Sequence, residues 1–254
     1  MMLRRFYAPP TAFAPDGAGV VLSEEESRHL RDVLRLRAGD EAHVFDGEGR
    51  EFACVVSAPG ARRERARLEV RSRAEPPSPE SPLSLTLAVA LLKGEKFDLV
   101  VQKATELGVR RVAPVLTKRA DVRLRDERDA DGRVGRWRRH ALEASKQSGR
   151  AVVPSVDAPV AFDSLVGVRD EGTARLLFAE RGGAGFDSLA DETHARPASA
   201  VALVGPEGGW DEDELSQARA GGWALVTLGG RTLRAETAAV AVCVLLQNLW
   251  GDLK

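Results

Sequence analysis

Two hydrophobic patterns share the chain, and a proline-rich stretch separates them. In the first part, short apolar runs "GVVL" (19–22), "EAHVFDG" (41–47), "EFACVVS" (51–57) and "ARLEVRS" (66–72) lie between Gly and Asp turns. Runs of that length bounded by turn residues predict a small β-rich module. One short helix interrupts it: "SEEESRHLRDVLRL" places Ser23 three residues ahead of Glu26, the spacing of a capping box. Beyond residue 83 the pattern changes. Apolar runs of strand length at 83–92, 111–116, 174–180, 200–205 and 224–229 alternate with helix-like segments at 95–108, 135–149, 211–222 and 236–250. That alternation predicts a parallel α/β sheet, whose ligand binds beyond the carboxyl ends of the strands. Between the two parts, "RAEPPSPESPL" (73–83) has four prolines within seven positions. Proline locks φ and supplies no N–H donor, so this stretch is a boundary. The expected organisation is a β module over 1–73, a linker over 74–82 and an α/β domain over 83–254.

Composition narrows the class. The chain has 254 residues, 43% hydrophobic and 30% charged, enough for two soluble domains, each with its own core. No apolar run approaches the roughly 18 residues of a membrane span, and "MMLRRFYAPP" leads into no signal-like apolar stretch. A cytoplasmic protein with no membrane partner is expected. Cys54 and Cys243 each sit in an apolar run, where cysteine acts as a small buried hydrophobe. His29, His43, His140 and His194 are scattered, so no metal site is expected.

The net charge of −1 conceals an asymmetry. Residues 110–150 carry 13 Lys and Arg against 6 Asp and Glu, net +7, whereas residues 151–254 carry 8 against 15, net −7. The basic segment reads either as a surface for an anionic partner or as a solvated arginine-rich helix.

Two glycine turns carry the candidate chemistry. "LVGPEGGWDEDEL" (203–215) joins a strand to a helix with Asp211 as N-cap, and Glu207, Asp211, Glu212, Asp213 and Glu214 crowd it with carboxylates. Neither GxxxxGK[ST] nor GxGxxG occurs in the chain. Like charges would repel a pyrophosphate, so a neutral or cationic ligand is favoured. A plain tight connection reads the turn equally well at this point. "LGGRTLRAETAAVAV" (228–242) repeats the strand, glycine turn and helix order, with a polar loop ahead of a helix that is apolar on most faces. Such a helix is expected to be buried between the sheet and another subunit. Arg231, Arg234 and Glu236 beside it are costly unless they pair or serve a ligand.

"LVGPEGGW", "LGGRTLRAETAA", "KATELGV" with the preceding Lys93 and Lys96, and "EASKQSGR", together with "RRFY" and "SRHLRDVLRLRAGDEAHVFDG", occur in this order over nearly the whole chain. In that combination the sequence resembles the RsmE family of small-subunit rRNA methyltransferases, of the SPOUT class. The resemblance implies a PUA-like N-terminal β-barrel that helps bind RNA and a C-terminal SPOUT α/β domain with a deep trefoil knot, an exception to the rule against knotted chains. It implies a homodimer that uses S-adenosyl-L-methionine to methylate N3 of a uridine in the decoding region of 16S rRNA, on the assembled small subunit. A sulfonium cofactor tolerates carboxylates near the first glycine turn.

By motif match, the resemblance places cofactor contacts at Leu203, Gly205, Glu207, Gly208 and Gly209 in the first loop. In the second they fall at Leu228, Gly229, Leu233, Arg234 and Thr237. Arg234 would stabilise an oxyanion on the base and Glu236 would take the N3 proton or hold the arginine; a buried ion pair of purely structural purpose is the competing reading. RNA contacts are expected at Arg4, Arg5, Lys93, Lys96, Lys118, Arg119, Arg123, Lys146 and Arg150, with salt-dependent affinity. Gln102 and Glu106, and Glu143, Gln147 and Arg150, are expected near the site mouth, or else on solvated helix faces. Two rival functions remain at this stage: a non-catalytic RNA-binding or ribosome-assembly protein, and a SPOUT methyltransferase acting on another RNA.

Overall fold

The computed structural model describes residues 4–61, 64–168, 170–189 and 196–254; His194 lies outside the described residues. The chain divides into two compact units, one running to Glu80 and taking in Ser145–Val153, the other made of Ser81–Ala144 and Pro154–Lys254.

The first unit is a five-stranded sheet. Its strands are β1 (Arg5–Tyr7), β2 (Gly19–Val21), β3 (Glu41–Phe45), β4 (Glu51–Ala58) and β5 (Arg67–Ala74), in the order β1-β3-β4-β5-β2. Pairing is antiparallel except between β1 and β3. Phe6, Leu22, Leu30, Val44, Cys54, Val56 and Leu68 fill its core. Burial pushes the Cys54 thiol up to about 12, so it packs as an unreactive hydrophobe. Helix α1 (Glu24–Arg28) starts as expected, with the Glu26 N–H donating to Ser23 Oγ at 3.1 Å. The reciprocal half of the capping box is replaced by a stronger contact. Glu26 takes a charge-assisted bond from Lys146 at 2.7 Å, and the pair is mostly buried.

Arg5 holds this unit together. Its Nε and Nη2 donate to the fully buried Glu51 carboxylate at 3.0 and 2.8 Å. Nη1 and Nη2 also donate to the carbonyls of Ser145 and Arg150, and the guanidinium lies 4.0 Å from the Phe45 ring centroid. The other Glu51 oxygen meets His43 Nδ1 at 3.1 Å. Glu80 accepts from Arg150 at 2.7 Å and fixes the same segment. Residues 145–153 thus pack with the N-terminal unit, although the sequence assigned them to the α/β domain; the hydrogen-bonding needs of buried Arg5 draw them there.

The second unit is an all-parallel sheet. Strands β6 (Ser84–Ala90), β7 (Arg111–Leu116), β8 (Ser155–Val156), β9 (Val160–Ala161), β10 (Thr173–Phe178), β11 (Ala184–Gly185), β12 (Ser199–Val204) and β13 (Ala224–Thr227) run in the order β11-β13-β10-β12-β6-β7-β8, with β9 also on β7. Its helices are α2 (Lys96–Glu106), α3 (Glu127–Ser148), α4 (Phe162–Val166), α5 (Glu212–Ala220) and α6 (Ala235–Trp250). Helices α2 and α6 pack on each other, and α6 packs on β6 and β12. A second core joins Phe162 and Val166 of α4, Leu215 and Ala218 of α5, Trp210 and Trp223 to sheet residues Ala88, Leu177 and Leu203. Helices therefore cover the sheet as a parallel sheet requires. Cys243 of α6 is fully buried and its thiol is likewise pushed up to about 12.

Helix α3 begins eight residues before the expected Gly135. Asp126 starts it by accepting the Asp129 N–H at 2.8 Å, and Arg133 pairs with Asp129 at 3.1 Å. That N-cap outweighs the helix-weakening Gly132 and Gly135. Strands β8, β9 and β11 are two residues each, too short to leave a pattern.

An Arg5→Met variant should be about 3–5 kcal/mol less stable, because it strands a buried carboxylate. Arg5→Met with Glu51→Leu should recover most of that loss. Denaturation of the full chain measures both, and equal stability of the single variant and the parent would rule out this role for Arg5.

Candidate active site

Strand β10 lies between β12 and β13, and their ends are level: Phe178 is in register with Val204 on one side and Val226 on the other. The loops after β12 and β13 must therefore leave the sheet on either side of the end of β10. Together they enclose a cavity of about 570 Å³, within the usual range for a small-molecule site. Of the residues expected to contact a cofactor, Gly205, Glu207, Gly209, Leu228, Gly229, Leu233 and Arg234 line it. Leu203, Gly208 and Thr237 do not. Leu203 is fully buried in the strand core, Gly208 abuts the Arg119 carbonyl, and Thr237 is exposed on α6.

Phe178, Ala179, Glu180 and Arg181 also line the cavity, and sequence reading missed them. They end the strand that periodicity had located, and the rule of ligands at carboxyl ends was a usable signal. What sequence lacked was the strand order that sets β10 between the two loops.

At Gly205 and Gly209 glycine is needed because neighbouring side chains come close. A Cβ on Gly205 would lie 2.9 Å from the Trp210 ring, and one on Gly209, at φ +69°, would lie 3.0 Å from Glu180 Oε2. Gly229 and Gly230 each adopt φ +69° and face open space. Trp210 closes the first loop, its Nε1 donating to the Phe178 carbonyl at 2.8 Å and its ring packing on Phe162.

The crowd of carboxylates in the first turn is satisfied within the protein. Lys96 Nζ donates to Glu207 at 2.9 Å, and Lys118 Nζ donates to Asp211 at 2.9 Å and also pairs with Asp213. Arg119 reaches Asp211 at 3.3 Å. Glu214 is buried and completes a capping box, accepting from the N–H groups of Asp211 and Lys118. Of the five, only Glu207 lines the cavity. Partial burial pushes its carboxyl up, but the hydrogen bond from Lys96 and backbone donors outweigh this and hold the pKa below the usual carboxylate range. The bond to Glu207 correspondingly raises the Lys96 ammonium, against some burial and repulsion from Arg234. A lowered acid and a raised base give one window. The tie is complete from above about pH 4 to below about pH 10, and it is lost as pH falls through the lowered value or rises through the raised one.

Arg234 and Glu236 do not pair with each other. Arg234 is exposed on the cavity wall, while Glu236, with its side chain 13% exposed, lies 3.7 Å from Lys96 Nζ. Among the described residues, Glu236 Oε2 is buried without a hydrogen-bond partner. Lys96 thus stands between an acid of the first loop and an acid of α6.

The residues expected to contact RNA are mostly engaged internally. Arg5, Lys146 and Arg150 are held by Glu51, Glu26 and Glu80. Lys93 pairs with Asp121 at 2.7 Å, Arg4 with Asp40 at 3.9 Å, and Arg123 donates to the carbonyls of Thr117 and Lys118. Gln102 bonds Glu106 on an exposed helix face, and neither lines the cavity.

Gly205→Ala should cost about 1–3 kcal/mol by overpacking, since Trp210 is pinned and cannot yield. Thermal denaturation reads this, and a variant as stable as the parent removes the packing account of Gly205.

Comparison with known proteins shows the family. Residues 79–247 match the family model of an RNA methyltransferase domain, and residues 22–69 that of an RNA methyltransferase PUA domain. Ribosomal RNA small subunit methyltransferase E of Synechocystis is 36% identical over 87% of this chain and 70% of its own length. The protein of that name from Mycobacterium tuberculosis is 35% identical over 89% and 85%. Among solved structures, ribosomal RNA small subunit methyltransferase E from Neisseria gonorrhoeae, bound to S-adenosyl methionine, superposes with a TM-score of 0.87 at 32% identity, covering 100% of both chains. A methyltransferase from Legionella pneumophila, solved with the same cofactor, also gives 0.87, at 29% identity over 100% of both chains. With a PUA-like N-terminal unit and a SPOUT α/β unit whose two glycine loops frame one cavity, the chain belongs to the ribosomal RNA small subunit methyltransferase E family of RNA methyltransferases.

Proposed function

We propose that the chain transfers a methyl group from S-adenosyl-L-methionine to N3 of a uridine in the decoding region of 16S rRNA, acting on the assembled small subunit in the cytoplasm. The observation that carries this reading is the cavity at the end of β10, lined by residues of two glycine loops. The residues present fit the cofactor. Exposed backbone at Gly229 and Gly230 offers hydrogen bonds to a planar base, Leu228 and Leu233 offer apolar contact, and the Glu180 carboxylate offers an acceptor. When bound there, S-adenosyl-L-methionine supplies an electrophilic methyl carbon on a sulfonium.

The chain's own residues must deal with the uracil N3 proton, which is present at neutral pH. In this reading Glu236 accepts that proton, its Oε2 standing 3.7 Å from Lys96 Nζ. Arg234, on the cavity wall, stabilises the negative charge that develops on the uracil oxygens. Gly205, Glu207, Gly209, Leu228, Gly229 and Leu233 hold the cofactor; Leu203, Gly208 and Thr237 act from behind or beside the wall. The target nucleotide turns out of its RNA to reach the cavity. Arg4, Lys93, Lys118, Arg119 and Arg123 are the exposed members of the expected RNA contacts.

A second copy of the chain completes the assembly in this reading. Val244 on α6 is 40% exposed and Leu99 on α2, which packs on α6, is 44% exposed. The deep trefoil knot implied by the resemblance accords with the return of α6 from β13 onto β6, β12 and α2. The assigned domains are 1–73, 74–82 and 83–254, with 145–153 packed on the first.

Labelled methyl should pass from S-adenosyl-L-methionine to small subunits lacking the modification, and mass spectrometry of the product should show 3-methyluridine. Glu236→Gln should lower turnover about 10²- to 10⁴-fold, and Arg234→Ala about 10²- to 10³-fold. Variants that keep full turnover would refute these roles, and methyl found on tRNA or ribose would refute the substrate.

A further inference from the structure

Most of the lysines and arginines that the sequence offered for RNA hold carboxylates of the same chain, and an ion pair must break before either partner can serve a phosphate. Arg181 and Arg231 differ. Both are exposed, both line the cavity, and among the described residues neither forms an ion pair or a side-chain hydrogen bond. They come from the loops that follow β10 and β13, two hydrogen-bonded neighbours, so the sheet itself brings them to one mouth. Glu180 shares that cavity but lies outside ion-pair distance of either.

We propose that Arg181 and Arg231 form a phosphate-binding rim at the cavity mouth, gripping the RNA backbone on both sides of the nucleotide being modified. This rests on the methyltransferase reading. A nucleotide turned into the cavity leaves its two flanking phosphates at the mouth, and a guanidinium binds such an oxyanion bidentately. Because neither arginine has a partner among the described residues to give up, its whole charge is available for releasing counterions from the RNA. Both groups are exposed, as a place at the mouth requires. The rim thus concentrates affinity at the reacting nucleotide, and the paired lysines around it serve to hold the loops.

The test is equilibrium binding of the full-length protein to small ribosomal subunits over a series of salt concentrations, alongside calorimetric affinity for S-adenosyl-L-methionine. Arg181→Ala and Arg231→Ala should each weaken subunit binding and flatten the plot of log affinity against log salt by roughly 0.7, the value for one single-strand phosphate contact. Cofactor affinity should not change, and Arg181→Lys and Arg231→Lys should restore the slope. An unchanged slope in both alanine variants overturns the rim. Loss of cofactor affinity with an unchanged slope also overturns it, and assigns the arginines to the cofactor carboxylate. Since the readout is binding, a parent protein that binds subunits with the steep slope but transfers no methyl defeats the proposed reaction and leaves the rim intact. No subunit binding by the parent defeats both.

Discussion

Parallel pairing of β10 with β12 on one side and β13 on the other is the constraint on which the site depends. Strands in register end together, so two loops distant in sequence leave the sheet as neighbours. Each loop must then turn within a few residues to reach its helix, α5 or α6, and glycine permits that where a Cβ would meet Trp210 or Glu180. The cavity is the space those two turns enclose at the end of β10.

Electrostatics then keeps the loops in place. A turn carrying several carboxylates would repel itself, yet Lys96, Lys118 and Arg119 neutralise it, and Glu214 is consumed in capping α5. Lys96 also approaches Glu236, so one ammonium ties the first loop to the start of α6. These exposed pairs contribute little individually to stability. Their effect is positional: they fix two loops between which a ligand must be held to within a fraction of an ångström. The N-terminal unit solves a harder version of the problem, because Arg5 and Glu51 are buried and each missing partner would be costly there.

Much of the fold was legible from residue pattern. Strand 111–116 was located to the residue, and α2, α5 and α6 to within about two, because their apolar spacing is long and regular. The start of α3 was not, since its signal is a single capping aspartate in a polar stretch with two glycines. The cavity lining was legible where motifs lie in one continuous run, as in most of 205–209 and in 228–234. Glu180 and Arg181 were not, because nothing local distinguishes a strand that ends between two loops from one that ends beside them.

Charge was the least legible property. The excess of cations over 110–150 is real in the sequence, but Arg111, Lys118, Arg119, Arg133, Arg136, Lys146 and Arg150 all find carboxylates, several of them far away along the chain. The sequence by itself determined the elements, the glycine turns and the family, since each depends on neighbouring residues or on motifs kept in order. Only the tertiary structure decided the strand order, the cavity wall and which cations stay free. Those depend on distances between residues separated by tens of positions, and only the folded chain makes those distances short.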